Sequence, residues 1–254
     1  GAVYGCACLQ CLGSLSTVNG QFNSSFIDGN NISSNQTDKK ELHFNALLAG
    51  TKWQTKNSDG ITEVTYSFMT KVPDYYPEVA SERTNFVAFD DTQKKAAHDA
   101  LKLWETVANI TFKYDDKDEG EIRFGTGEFK VQKTDDKGKS VVDQDNNPVL
   151  VVVESAHAFF PGKTIGGDLW LNNAFTPNND QTLGSYGFYT MLHEIGHTLG
   201  LKHPGPYDAN KKKALNKEEK EEEEKAYSKG ILEGIYLPKD KDNWQYSLMS
   251  YNDS

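Results

Sequence analysis

HEIGHTLGLKH, residues 193–203, holds three of the six histidines of this chain within eleven positions. If the stretch begins as a helix, His193 and His197 are four residues apart and stack on one face, one turn apart, where both can ligate one cation. Glu194 points off that face, where its carboxylate reaches a metal-bound water and not the metal. The first half of the stretch therefore predicts a helix that presents a pair of metal ligands and a base.

The second half of the stretch supplies a chain reversal and a third imidazole. Gly200 can adopt the left-handed conformation that ends a helix, and this turn brings His203 back to the pair. Three neutral imidazoles with an open position are typical of a catalytic zinc, because a structural zinc is closed by four protein ligands. The chain has 21 glycines and 6 histidines in 254 residues. A glycine at position 200 together with a histidine at position 203 would therefore occur by chance only about once in 500.

Composition limits the class of protein. The chain has 254 residues, 37% of them hydrophobic and 11% aromatic, which is enough to bury a substantial core. Its 27 Lys and Arg against 37 Asp and Glu give a net charge of -10 and no broad basic face for nucleic acid. No apolar run approaches the roughly 20 residues of a membrane span. We expect a globular, monomeric protein without a nucleic-acid partner or a membrane span.

The chain divides by composition into two regions. Residues 1–45 are rich in Asn, Ser, Gly and Gln with few aliphatic positions, which predicts a propeptide-like extension without its own core. Residues 46–254 carry the patterns of one domain. Strands of a single sheet are predicted in ITEVTYSFMT, ITFKYDD, EIRFGTG, EFKVQK, VLVVVESAHAFF and GDLWLNN.

Two helices are predicted in the same region, at DTQKKAAHDALKLWETVANI and at SYGFYTMLHEIGHTLG. The apolar face of the first is predicted to contain Ala97, Leu101, Leu103, Trp104 and Val107. The charge run NKEEKEEEEKAYSKG, residues 216–230, is typical of a solvated face.

YSLMSY, residues 246–251, places Met249 near the end of the chain. A zinc signature followed by a methionine turn is the metzincin pattern. HEIGHTLGLKHPG with SLMSY resembles, more narrowly, the serralysin branch of bacterial zinc metallopeptidases, and ALLAGTKW, WETVANITF, AHAFFPG and GGDLWLNN extend the resemblance to about residues 46–251. It implies an α+β fold, with a twisted mixed sheet of about five strands and two long helices in an upper subdomain. A small irregular lower subdomain would carry the third histidine and the Met-turn.

The resemblance also assigns roles to residues. It implies that the three histidines bind one zinc ion, that Glu194 is the general base and acid, and that Met249 forms an apolar floor below the metal. Tyr251 matches a tyrosine that ligates the resting zinc and then swings away to hydrogen-bond the reacting carbonyl. The strand that would pair with an extended peptide substrate matches Ser155, Ala156, His157, Ala158, Phe159 and Phe160.

The activity implied is that of a secreted bacterial zinc endopeptidase acting on proteins or peptides. The family's calcium-binding repeats are not in this sequence, so calcium is not supported, and Pro206 stands where the family commonly has Asp. Two alternatives stay open. One is a zinc-stabilised, non-catalytic binding or surface-layer module, against which Glu194 argues because a structural site has no use for a carboxylate that does not ligate. The other is a matrixin- or astacin-like peptidase.

All three cysteines, Cys6, Cys8 and Cys11, lie in the predicted extension. The rest of the fold therefore has no internal disulfide. The cluster fits an unstructured thiol-bearing tail, a metal or redox role, or latency, in which the extension lies in the cleft and one thiolate takes the open zinc position.

Overall fold

The structure, a computed structural model, describes residues 43–207, 215–232 and 234–253. Almost all of the predicted extension, with Cys6, Cys8 and Cys11, lies outside the described residues.

The described residues fall into two compact units. The sheet unit comprises residues 49–201, and the C-terminal unit comprises residues 43–48 together with the chain from 202 onward. The strands are β1 (Thr62–Phe68), β2 (Ile110–Tyr114), β3 (Ile122–Gly127), β4 (Lys130–Gln132), β5 (Leu150–Val152), β6 (Ala156–Ala158) and β7 (Asp168–Asn172). The α-helices are α1 (Asp91–Val107), α2 (Tyr186–Thr198) and α3 (Lys217–Ser228), and short 3-10 helices lie at Ser81–Arg83 and Thr176–Asn179.

The main sheet has five strands in the order β2-β1-β3-β7-β6. The first four are parallel to one another, and β6 pairs with β7 in the antiparallel direction, with His157 opposite Trp170. A short edge strand of opposite direction next to parallel strands is the mixed sheet that the sequence predicts.

Side chains from the two faces of β7 enter two separate apolar clusters. Leu169 and Leu171 join the cluster that contains Leu101 of α1 and Ile195 of α2. Trp170, between them in sequence, joins a second cluster formed with loop residues such as Tyr76. Because successive side chains of a strand point to opposite faces, the sheet is covered on both sides, and this accounts for the fully buried β7.

Helix α1 begins at a capping box in which Asp90 accepts from the backbone N–H of Gln93 and the Gln93 side chain accepts from the backbone N–H of Asp90. Of the predicted apolar face, Ala97 and Leu101 are buried and Trp104 packs against the core. The prediction is wrong for the other two members, Leu103 and Val107, which are 41% and 76% exposed. Leu103 is turned away from the face by the 3.6-residue period, and Val107 is the last residue of the helix.

Strands β4 and β5 correct the prediction of a single sheet, because they form a separate two-stranded antiparallel ribbon. The chain between them folds back on itself twice. The carboxylates of Asp135 and Asp143 each accept backbone N–H groups two and four residues later, which closes both turns locally. All three residues of β4 are exposed, so the ribbon has no buried face with which to join the main sheet.

In the C-terminal unit, α3 begins at a capping box between Asn216 and Glu219. Most of its acidic side chains are exposed as predicted, whereas Glu223 is half-buried and accepts a hydrogen bond from Tyr236. Tyr227 is the buried residue of this helix. The rest of the described unit consists mainly of turns, as expected for a small irregular subdomain. Within the described residues, no helix combines the length and apolarity needed to cross a bilayer.

Candidate active site

Helix α2 positions the first two candidate ligands. Its N-terminus is capped by Ser185, whose hydroxyl accepts from the N–H of Phe188. His193 and His197 follow one turn apart, with ring centroids 4.8 Å apart and ring planes at 83°. Glu194 is fully buried in the same helix. The predicted helix and its pair of imidazoles are therefore present.

Gly200 ends this helix in the predicted left-handed conformation, with a φ of +96°. The N–H of Leu201 donates to the carbonyl of Gly196, and that of Gly200 donates to the carbonyl of His197, which together form a Schellman motif. A Cβ on Gly200 would lie 2.2 Å from the carbonyl oxygen of Thr51. Both the backbone conformation and this close approach require glycine.

The reversal at Gly200 also fixes the tautomer of His197. Its Nδ1 lies 2.7 Å from the carbonyl oxygen of Leu201. Since a carbonyl only accepts, Nδ1 carries the proton and Nε2 keeps its lone pair for a metal. Burial and the neighbouring charge of His193 hold the pKa of His197 well below its usual range, although the Leu201 carbonyl acts in the opposite direction. This environment favours the neutral form of His197, which is the form that can ligate a metal.

The side-chain ligand atoms of His193, His197 and His203 all lie within 4.8 Å of one another. In the part of the chain that the structure describes, this is the only cluster of histidine, cysteine or acidic side chains with the geometry to hold an ion. Three imidazole nitrogens are the donor set of a catalytic zinc.

Met249 and Tyr251 lie where the sequence predicts a turn. The N–H of Met249 donates to the hydroxyl of Ser247 and that of Ser250 to the carbonyl of Ser247, and the Met249 side chain is 1% exposed. The ring of Tyr251 lies 4.3 Å from the ring of His203, centroid to centroid. The third histidine and the predicted tyrosine are thus neighbours.

The candidate substrate strand, residues 155–160, contains the edge strand β6 and is buried throughout. His157 lies between two buried carboxylates, with Nδ1 3.0 Å from Glu154 and Nε2 3.3 Å from Glu82. Burial alone would lower the pKa of His157, but its close contacts with both carboxylates and their charges raise it to about 10. Its side chain therefore anchors the strand. Neither carboxylate is predicted from the sequence, because no local pattern points to Glu82 and the spacing of three between Glu154 and His157 is only a weak signal.

The sequence profile of the family described as Matrixin matches residues 52–224. The chain belongs to the matrixin family of peptidases. Its relatives include the metalloprotease AprA of Pseudomonas entomophila, 32% identical over 170 residues that make up 64% of this chain and 30% of the relative.

Two serralysins are also similar to this matrixin-family chain. Serralysin G of Dickeya chrysanthemi is 35% identical over 149 residues, 58% of this chain and 28% of the relative. The serralysin of Proteus mirabilis is 31% identical over 196 residues, 75% of this chain and 34% of the relative. The chain thus spans about a third of the length of the curated relatives it matches. The prediction of a serralysin-like metzincin catalytic domain is confirmed. Metzincins use a catalytic zinc, and the matching histidine cluster is present here.

Proposed function

We propose that this chain is the catalytic region of a zinc-dependent endopeptidase that hydrolyses peptide bonds in protein substrates. The observation that carries the proposal is the cluster of His193, His197 and His203, with the buried Glu194 adjacent in sequence to the first ligand. Membership of the matrixin family and similarity to serralysins support the same reaction class.

The three histidines would hold the zinc. The fit is chemical as well as geometric, because His197 is neutral and its hydrogen bond to Leu201 leaves Nε2 available. When bound, zinc polarises the scissile carbonyl and acidifies a water molecule at neutral pH.

Glu194 supplies the proton transfer in this proposal. Its carboxylate takes a proton from the attacking water and later delivers one to the departing amine. Its position directly after His193 supports this role, because a residue adjacent to a ligand on a helix is turned away from the ligand face. A buried carboxylate that does not ligate the metal fits catalysis better than a purely structural zinc module.

Tyr251 is assigned the stabilisation of charge on the substrate. Its hydroxyl would ligate the resting metal and, during the reaction, donate to the carbonyl oxygen as negative charge develops there. The ring contact with His203 supports this assignment. Replacement by phenylalanine should lower kcat more than it raises KM, since the hydrogen bond forms mainly in the transition state.

The backbone of residues 155–160 is assigned to substrate binding. Strand β6 ends the strand order of the main sheet, and an extended peptide can add to such an edge through main-chain hydrogen bonds. The ion pairs of His157 with Glu82 and Glu154 would keep this edge rigid.

The direct test is to incubate the zinc-loaded chain with a denatured protein, with and without a chelator, and to sequence the new termini. The Glu194→Gln variant is the matched control, because the amide keeps the shape of the side chain but cannot accept the proton. It should bind zinc normally and lose activity by at least about 100-fold. A wild-type chain that binds zinc without cleaving would favour the non-catalytic module, and full activity of Glu194→Gln would refute the assignment of the base.

We also propose that residues 1–45 keep the enzyme latent, which means inactive until this segment is removed. A segment of low aliphatic content before the catalytic domain can block the cleft, and a thiolate from Cys6, Cys8 or Cys11 can occupy the open zinc position. The full chain, a form that lacks residues 1–45 and a triple Cys→Ser variant should be compared. Latency predicts a faster truncated form, and cysteine ligation predicts that the triple variant is also faster. Equal rates for all three would exclude both.

We also assign the protein to the extracellular space of a bacterium, acting as a monomer. Its relatives come from Pseudomonas, Dickeya and Proteus, which supports a bacterial source. Detection of the protein in culture medium and its mass in solution would test these two assignments.

A further inference from the structure

Asp242 lies at the centre of a buried hydrogen-bond network in the C-terminal unit, and its side chain is 2% exposed. Its Oδ1 accepts from the hydroxyls of Tyr207, at 2.9 Å, and Ser250, at 2.6 Å. Its Oδ2 accepts from the hydroxyl of Tyr227, at 2.8 Å, and from Nδ2 of Asn252, at 3.0 Å. Each oxygen thus accepts two hydrogen bonds, which is the full capacity of a carboxylate.

Two of these partners lie in the segments that carry proposed catalytic groups. Tyr207 follows His203 by four residues, and Ser250 immediately precedes Tyr251. Tyr207 is joined to Tyr251 as well, because their rings stack at 4.8 Å and the N–H of Tyr251 lies 3.4 Å from the Tyr207 hydroxyl. One carboxylate therefore connects the loop after the third histidine with the Met-turn.

Gly205 shows how closely the carboxylate is fitted into that loop. A Cβ at this position would lie 2.2 Å from Oδ2 of Asp242 and 2.2 Å from the ring of Tyr207. The glycine two residues after His203 is thus required by the packing of Asp242, and the carboxylate occupies the space a side chain would take.

The phenols of Tyr207 and Tyr227 are the donors in these hydrogen bonds, because an ionised carboxylate can only accept.

We propose that Asp242 is a positioning residue for peptide hydrolysis, which holds Tyr251 beside His203 by tying Tyr207 and Ser250 to one buried carboxylate. It touches neither substrate nor metal. This inference rests on the proposed peptidase function. Its expected consequence is kinetic, because a displacement of about 1 Å in a group that acts on the transition state can cost about 100-fold in rate.

The test compares two variants that each remove one tyrosine hydroxyl from the same carboxylate. Tyr207→Phe detaches the loop after His203, whereas the matched control Tyr227→Phe detaches α3, which carries none of the proposed catalytic groups. Asp242→Asn and the double variant Asp242→Asn with Tyr207→Phe complete the set. The readouts are kcat and KM, zinc content, and hydrogen exchange of the amides of residues 246–252 in the metal-free chain.

We expect Tyr207→Phe and Asp242→Asn to lower kcat by about 10- to 100-fold, with KM within about twofold and zinc retained. Exchange in residues 246–252 should accelerate in both, and the double variant should lose little more than the worse single variant. Tyr227→Phe should keep its kcat and its exchange pattern.

An equal loss of kcat in Tyr227→Phe, or an unchanged kcat in Tyr207→Phe, would overturn the proposal and leave a purely structural role. If wild-type chain shows no peptidase activity, the proposed function fails, and hydrogen exchange still decides separately whether Asp242 fixes the Met-turn. Unaltered hydrogen exchange of residues 246–252 in Asp242→Asn would then show that Asp242 does not fix the Met-turn.

Discussion

His157 in β6 and His197 in α2 are both completely buried, yet their pKa values are shifted in opposite directions. His157 faces the carboxylates of Glu82 and Glu154. His197 faces the backbone carbonyl of Leu201 and the ring of His193. The contrast therefore lies in the partners and not in the depth of burial.

The same electrostatic effects act on both histidines. Removal from water disfavours the charged imidazolium and by itself lowers the pKa of either residue. At His157 two carboxylates outweigh this effect, and the pKa rises to about 10. At His197 burial and the charge of the neighbouring His193 outweigh the effect of the Leu201 carbonyl, and the pKa falls. Burial beside carboxylates favours the charged imidazolium, whereas burial against a backbone carbonyl favours the neutral imidazole that can ligate a metal.

Zinc binding gives the largest expected difference between the two residues. His197→Ala removes a ligand and should weaken zinc binding by more than the 10- to 100-fold that is typical for the loss of an outer partner of a ligand. His157→Gln should leave zinc affinity within about twofold, because the His157 ring pairs with Glu82 and Glu154 and not with the metal site. Titration with a competing chelator measures both. Equal losses of zinc affinity in the two variants would contradict the assignment of His197, and not His157, to the metal site.

The stability of the sheet unit should show the reverse order. His157→Gln leaves two buried carboxylates without a cation and should lower the free energy of unfolding by about 3 kcal/mol or more. His98→Gln is the control, since His98 is only partly buried and bonds to Tyr66; it should cost about 1 kcal/mol. Urea denaturation followed by circular dichroism gives both values. Equal losses of unfolding free energy in the two variants would show that the carboxylates do not add to the stabilisation by His157.

The carbonyl partner of His197 can be displaced through Gly200. Gly200→Ala combines left-handed strain with a clash against Thr51 and should cost about 2 kcal/mol or more. It should also weaken zinc binding, because Leu201 moves. Gly184→Ala is matched in φ, at +90°, but a Cβ there meets nothing within 4 Å, so only strain of about 1 kcal/mol is expected. Unchanged zinc affinity in Gly200→Ala would show that the turn does not affect the metal site.

The smallest expected effect is the change in the free energy of unfolding per pH unit. The pKa of His157 is raised in the folded state, so its stabilising contribution is complete below about pH 6.5 and is lost as pH rises towards about 10. Burial raises the pKa of Glu82, but the His157 hydrogen bond and charge lower it overall, so this contribution is lost only in acid, below about pH 4.5. The stability difference between wild type and His157→Gln should shrink above pH 6.5 by no more than about 1.4 kcal/mol per pH unit. A constant difference up to pH 10 would contradict a charged His157.

The local geometry of the metal site could be predicted because it is determined by backbone periodicity. The spacing of His193, Glu194 and His197 is set by the helix, and Gly200 is required by the turn that ends it. That the segments of the main sheet form strands could be predicted from their short apolar patterns, although their pairing could not. The separate ribbon of β4 and β5 could not, since apolar alternation does not specify which strand a segment pairs with.

The helix with His193 and His197, the chain reversal at Gly200 and the turn at Met249 follow from the sequence alone, since each depends on neighbours a few residues apart. The pairing of His157 with Glu82 and Glu154, and the hydrogen bonds that join Tyr207 and Ser250 to Asp242, depend on the tertiary structure. These contacts connect groups from separate elements, and their choice follows from packing and from the need to pair every buried charge. No periodicity of the chain encodes that choice.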